Sequence, residues 1–101
     1  LDSAPATVSV LPGIRAAAGP DRLLILDGGI RNGTDALKAL ALGANAVQLG
    51  RPVLWGLALG GAAGVTRAID LVRAELEQAM VLAGSPSLRE VTADLVGPWP
   101  A

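Results

Sequence analysis

Two strand-length runs, each followed by glycine and arginine and then by a helical pattern, constrain this chain more than any other feature. The first is RLLILD, Arg22 to Asp27, leading into GGIRNG. The second is NAVQLG, Asn45 to Gly50, leading into Arg51 and Pro52. The first run is continuously aliphatic and does not alternate. It therefore reads as a strand buried on both faces, as in parallel sheets. Between the two runs, NGTDALKALALGA takes helical spacing, with Leu37, Leu40, Ala41 and Ala44 on one face. Asn32 or Thr34 can cap its start, and Gly43 suits its end.

The flanks extend this grammar. SAPATVSVLPGIRAAAGP predicts a loop and a short helix, with Pro5 near the start and Gly19-Pro20 ending it. Pro12 is expected in the first turn of a second helical piece. After Gly50, Pro52 opens a short helix and the glycines of GLALGGAAG make a close-packed turn. A long amphipathic helix follows from Val65 to its stop at Gly84. Val65, Ile69, Val72, Leu76, Ala79 and Ala83 form its apolar face, and Arg67, Asp70, Arg73, Glu77 and Gln78 lie away from it. SPSLREVTADLV predicts a last short helix capped by Ser85 or Ser87, and GPWPA a tail.

The order is helix, strand, helix, strand, helix, helix, an α/β class with parallel strands. Two strands alone leave unpaired edges and uncovered faces. A (β/α)8 TIM barrel takes roughly 250 residues, and this chain has 101. The expectation is that residues 1–101 are the C-terminal part of one such barrel domain: its last two βα units and terminal helices. The remainder would be disordered, cleaved off or held in another chain.

Composition removes several classes. Net charge is −1 and no Lys/Arg block occurs, which speaks against a nucleic-acid partner. Cysteine and histidine are both absent. That leaves no thiol chemistry, no thiolate metal site and no imidazole base or ligand, so no metal site is expected. The apolar stretch from Ala39 to Val65 is interrupted by Asn45, Gln48, Arg51 and Pro52, too broken for a membrane span. With no targeting signal read at either end, the expected location is cytoplasmic.

In a parallel barrel, consecutive strands open side by side at the same rim. This brings Asp27-Gly28-Gly29-Ile30-Arg31 next to Gly50-Arg51. The glycines let backbone N–H groups approach an anion. Both loops enter helix N-termini, whose free N–H groups and dipole favour one. Arg31 and Arg51 supply forked donors that match phosphate oxygens. Asp27 would repel a bare phosphate. It fits a ligand that also presents hydroxyls, or it orients an arginine. A tight turn at Gly28-Gly29, solvated arginines and a structural Asp27 are the plain alternatives. Lys38, Asp35 and the charges of the long helix read as solvated, and Trp55 as packing.

LDGGIRNGTDALKALALGANAVQLGRPVLWGLALGGAAGV resembles the C-terminal section of the FMN-dependent 2-hydroxy acid oxidase and dehydrogenase family, and the similarity runs on through LAGSPSLREVTADLV. The family includes glycolate and lactate oxidases and the mandelate and hydroxymandelate enzymes. The resemblance implies a TIM barrel binding FMN. It implies that Asp27, Gly28, Gly29 and Arg31, with Gly50 and Arg51, hold the ribityl phosphate, and that Ile30 contributes its backbone. It further implies oxidation of a 2-hydroxy acid to the 2-keto acid, reoxidation by oxygen or another acceptor, and a homo-oligomer, commonly a tetramer. The family's catalytic histidine belongs to a His-Gly-Gly-Arg motif upstream of this segment, and its tyrosines and lysine to earlier strands. No catalytic residue is therefore assigned on this chain. Flavin-dependent isopentenyl diphosphate isomerases use similar stretches and are one alternative. A non-catalytic phosphate-binding half-barrel is the other.

Overall fold

The computed structural model describes residues 2–98. Helix α1 (Thr7–Ala18) is followed by strand β1 (Ile25–Leu26), helix α2 (Gly33–Ala41), strand β2 (Ala46–Val47) and helix α3 (Arg51–Leu82). Two single 3-10 turns, Leu88–Glu90 and Ala93–Leu95, complete it. The strands pair in parallel, Ile25 opposite Ala46 and Leu26 opposite Val47. Helix α2 is the crossover between them. The expected pair of βα units is present.

Each strand is much shorter than its aliphatic run. Leu24 and Leu26 carbonyls accept from Asn45 and Gln48 N–H at 2.7 and 2.8 Å, so pairing extends slightly beyond the regular ladder. Among the described residues the two segments make no further backbone pairing.

Local signals set the helix ends. Asn32 caps α2, its side chain accepting from Asp35 N–H. At the other end, Gly43 N–H reaches the Leu40 carbonyl and Ala44 N–H the Ala39 carbonyl. This paired closure satisfies carbonyls that the helix leaves orphaned. Gly84 and Ser85 repeat it on Val81 and Met80 at the end of α3.

Three expectations need correction. Pro12 does not open a second helix; it lies inside α1, which runs on without a break. The cost is one lost backbone donor in a segment whose Thr7, Val8, Val10 and Gly13 are themselves weak helix formers, and the packing of Leu11 in the core helps sustain it. The last short helix does not form. Val91 and Thr92 are extended, with ψ of 103° and 165°, and split it into two turns. The segment is too short to offset helix nucleation, and β-branched residues sit at its centre. Trp55, expected to pack, is 51% exposed.

Helix α3 is a hairpin of two arms. Gly60 and Gly61 have non-helical backbone angles, dividing residues 51–59 from residues 62–82. Gly56 and Gly64 meet where the arms cross, and a Cβ on either would strike the other's carbonyl. The glycines of GLALGGAAG thus serve close packing. By length and mean hydropathy α3 could cross a membrane. However, the short arm is far below the ~20 residues a span requires, and the long arm carries Arg67, Asp70, Arg73, Glu75 and Glu77.

The core lies between the strands, α1 and α2. It holds Leu11, Leu26, Ile30, Ala36, Ala39 and Ala44, with Leu76 of α3 packed against it. A second cluster joins Leu37, Ala41 and Val91 beneath the long arm of α3. Large apolar side chains remain outside: Leu23 is 72% exposed, Ile25 51% and Leu59 90%. The radius of gyration, 14.4 Å, exceeds the ~13 Å of a compact domain of this length. β1, read from the sequence as buried on both faces, is buried on one here: Leu26 is in the core while Ile25 is open.

Candidate functional site

The chain leaves β1 at Asp27 and turns through Gly28 and Gly29, whose φ values are +102° and +80°. Side chains other than glycine rarely adopt these angles. Ile30 then points inward and is buried at 6% exposure, which anchors the loop to the core. Arg31 follows on the outside. After β2, Gln48 and Gly50 lead into Arg51 and Pro52 at the start of α3.

These residues face one another. Asp27, Gly28, Gly29, Ile30, Arg31, Gly50 and Arg51, with Gln48 and Pro52, line one cleft of about 260 Å³ at the C-terminal ends of the strands. All seven positions singled out in the sequence therefore converge. Gln48 and Pro52 are additions. Gln48 lies just past β2, and its polar amide in an otherwise aliphatic run was the signal that could have found it.

The cleft carries two cations against one carboxylate. Among the described residues, neither the Arg31 nor the Arg51 guanidinium makes an ion pair or hydrogen bond; the ion pair recorded there is Arg73–Glu77. Asp27 pairs with neither arginine, so the reading in which it orients one has no support in the geometry. The N–H groups of Gly28, Gly29, Gly50 and Arg51 also have no protein partner among the described residues. Two cations and several unpaired donors around one cleft favour an anion.

The two helix starts differ, contrary to expectation. The start of α3 has no side-chain cap and carries Pro at its beginning, leaving its end open to the cleft. The start of α2 is filled from within. Asn32 Oδ1 accepts from Asp35 N–H at 2.9 Å, Asp35 Oδ2 from Arg31 N–H at 3.0 Å, and Glu75 Oε2 from Gly33 N–H at 3.1 Å. Asp35 is therefore a structural acceptor rather than a solvated charge. The Asn-x-x-Asp spacing, a variant of the capping box, was the signal that could have revealed it.

A family model described as FMN-dependent dehydrogenase matches residues 1–98. The chain belongs to this family. Within it, the chain is 54% identical over 91 residues to an L-lactate oxidase of Nostoc sp., covering 90% of this chain and 25% of that protein. It is 44% identical over 99 residues to a pre-mycofactocin synthase of Mycobacterium tuberculosis, covering 97% and 25%. Its backbone matches a solved mandelate oxidase bearing an FMN adduct with a TM-score of 0.86 at 44% identity, covering 92% of this chain and 30% of that one. The chain thus spans about a quarter of the length of these family members.

Proposed function

We propose that this chain is the C-terminal part of a (β/α)8 barrel that uses FMN to oxidise a small 2-hydroxy acid to the 2-keto acid. Its own task there is to grip the phosphate end of the cofactor. The observation that carries this reading is the cleft, where two unpaired arginines and unpaired glycine N–H groups converge between two strand ends. A phosphate bears a charge of about −1.5 to −2, which two guanidinium groups balance. Glycine leaves the backbone donors uncovered, and the uncapped start of α3 adds its positive end. Asp27 would then accept from ribityl hydroxyls, the role left to it by its lack of an arginine partner. The exposed faces of Leu23 and Ile25 support further strands packing beside β1.

When bound, FMN accepts the two electrons released as the hydroxy acid becomes a keto acid. The residues of this chain orient and retain it, and no catalytic residue is assigned among them. In the complete barrel, Arg51→Ala is expected to weaken FMN binding about 30- to 100-fold, the loss of a charge-assisted contact. Flavin fluorescence during titration measures it. Unchanged affinity would overturn the assignment.

The resemblance to a pre-mycofactocin synthase favours a second reading, in which the same FMN grip serves another substrate. Anaerobic addition of lactate, glycolate and mandelate separates the two. Bleaching of the flavin absorbance by one of them supports the first reading, and no bleaching by any supports the second.

A further inference from the structure

We propose that Glu75 is a positioning residue for the anion cleft, holding the Arg31 loop and the Arg51 helix start at a fixed separation. This rests on the FMN-phosphate reading above. Glu75 belongs to the long arm of α3, far from the cleft in sequence. Its Oε2 accepts from Gly33 N–H, the first helical residue of α2, at 3.1 Å. Gly33 is itself buried, and a Cβ there would collide with the backbone of Glu75 and Leu76. The first turn of α2 therefore lies directly on the long arm at the residue that caps it.

The consequence follows the chain. Arg31 N–H is held by Asp35 and Gly33 N–H by Glu75, so the backbone is clamped on both sides of Asn32. The short stretch from the buried Ile30 to Gly33 then has little freedom, and the Arg31 side chain leaves it at the cleft. Helix α3 supplies the opposite wall through Gly50, Arg51 and Pro52. Its two arms are locked together at Gly56 and Gly64. One element thus carries Arg51 at its start and the clamp on the Arg31 loop in its long arm. A carboxylate at the start of α2 also offsets the positive end of that helix, which leaves the arginines and the start of α3 as the attraction for the anion.

Capping that merely stabilised α2 would alter unfolding without changing how phosphate is distinguished. The complete flavin-binding protein is therefore titrated with FMN and with riboflavin, which lacks the phosphate, and the ratio of the two affinities is read. Glu75→Leu is expected to lower the FMN preference about tenfold. Glu75→Gln should keep it, since an amide oxygen still accepts from Gly33 N–H. Glu75→Asp, one methylene too short to reach, should behave like Leu and provides the test if Glu75→Leu does not fold. Amide hydrogen exchange across residues 29–35 should quicken in the Leu and Asp variants alone. A ratio unchanged in Leu or Asp, or reduced equally in Gln, overturns the proposal. Arg51→Ala separates the two levels: if it leaves the ratio unchanged, the phosphate reading itself fails. If it collapses the ratio while the Glu75 variants do not, only the positioning role fails.

Discussion

The two ends of the strand pair both carry arginine, and they use it in opposite ways. At the N-terminal end, Arg15 of α1 is fully engaged. Its guanidinium donates to the carbonyls of Gly43, Gly19 and Arg22, each at 2.8 Å, and to Asn45 Oδ1 at 2.6 Å. Asn45 Oδ1 also accepts from Leu24 N–H at 2.8 Å. One side chain therefore ties the end of α1 to the segments entering both strands. At the C-terminal end, Arg31 and Arg51 touch no protein acceptor among the described residues. A satisfied arginine holds a fold together; an unsatisfied pair beside open N–H groups is what the proposed phosphate grip requires. The same division between a stability face and a ligand face is general in βα barrels.

Breaking that contrast should give separable effects. Arg15→Ala is expected to cost about 2–4 kcal/mol of stability, because it strands three carbonyls and Asn45 together. Urea unfolding measures it, and FMN affinity of the folded fraction should be unchanged. Arg31→Ala should do the reverse. FMN affinity should fall about tenfold while the unfolding free energy in urea stays within about 0.5 kcal/mol of the parent. A loss of stability comparable to that of Arg15→Ala would mean that Arg31 is structural and would erase the contrast. The smallest effect belongs to Arg73→Ala. Its pair with Glu77, at 3.2 Å, is 77% and 65% exposed, and such pairs contribute at most about 0.5 kcal/mol. Neither stability nor flavin affinity should move measurably.

The cleft was more legible in the sequence than its supports were. Asp27 to Arg31 and Gly50-Arg51 could be brought together from spacing alone, because parallel strands joined by one crossover helix must open at the same edge. The difference between the two helix starts could not. Asp35 lay within reach of a local capping pattern, but the Glu75 carboxylate accepts from Gly33 N–H across 42 residues of chain. Arg15 likewise bonds to Gly43 and Asn45, 28 and 30 residues away. Its own neighbours, Ile14 and Ala16, say nothing of that.

Local chemistry was enough to narrow the α2 cap to Asn32 or Thr34, and for the closures at Gly43 and Gly84 and the glycine turn after β1. Each is decided by hydrogen bonds and backbone angles within a few residues. The same local reasoning failed at Pro12, where a helix accommodated a missing donor, and at Val91-Thr92, where no packing sustained a helix. Tertiary structure alone decided which arginines are satisfied, which helix start stays open, and how the hairpin of α3 joins the two walls of the cleft. Those outcomes depend on which surfaces dock, and docking brings together groups whose sequence separation carries no periodic signal.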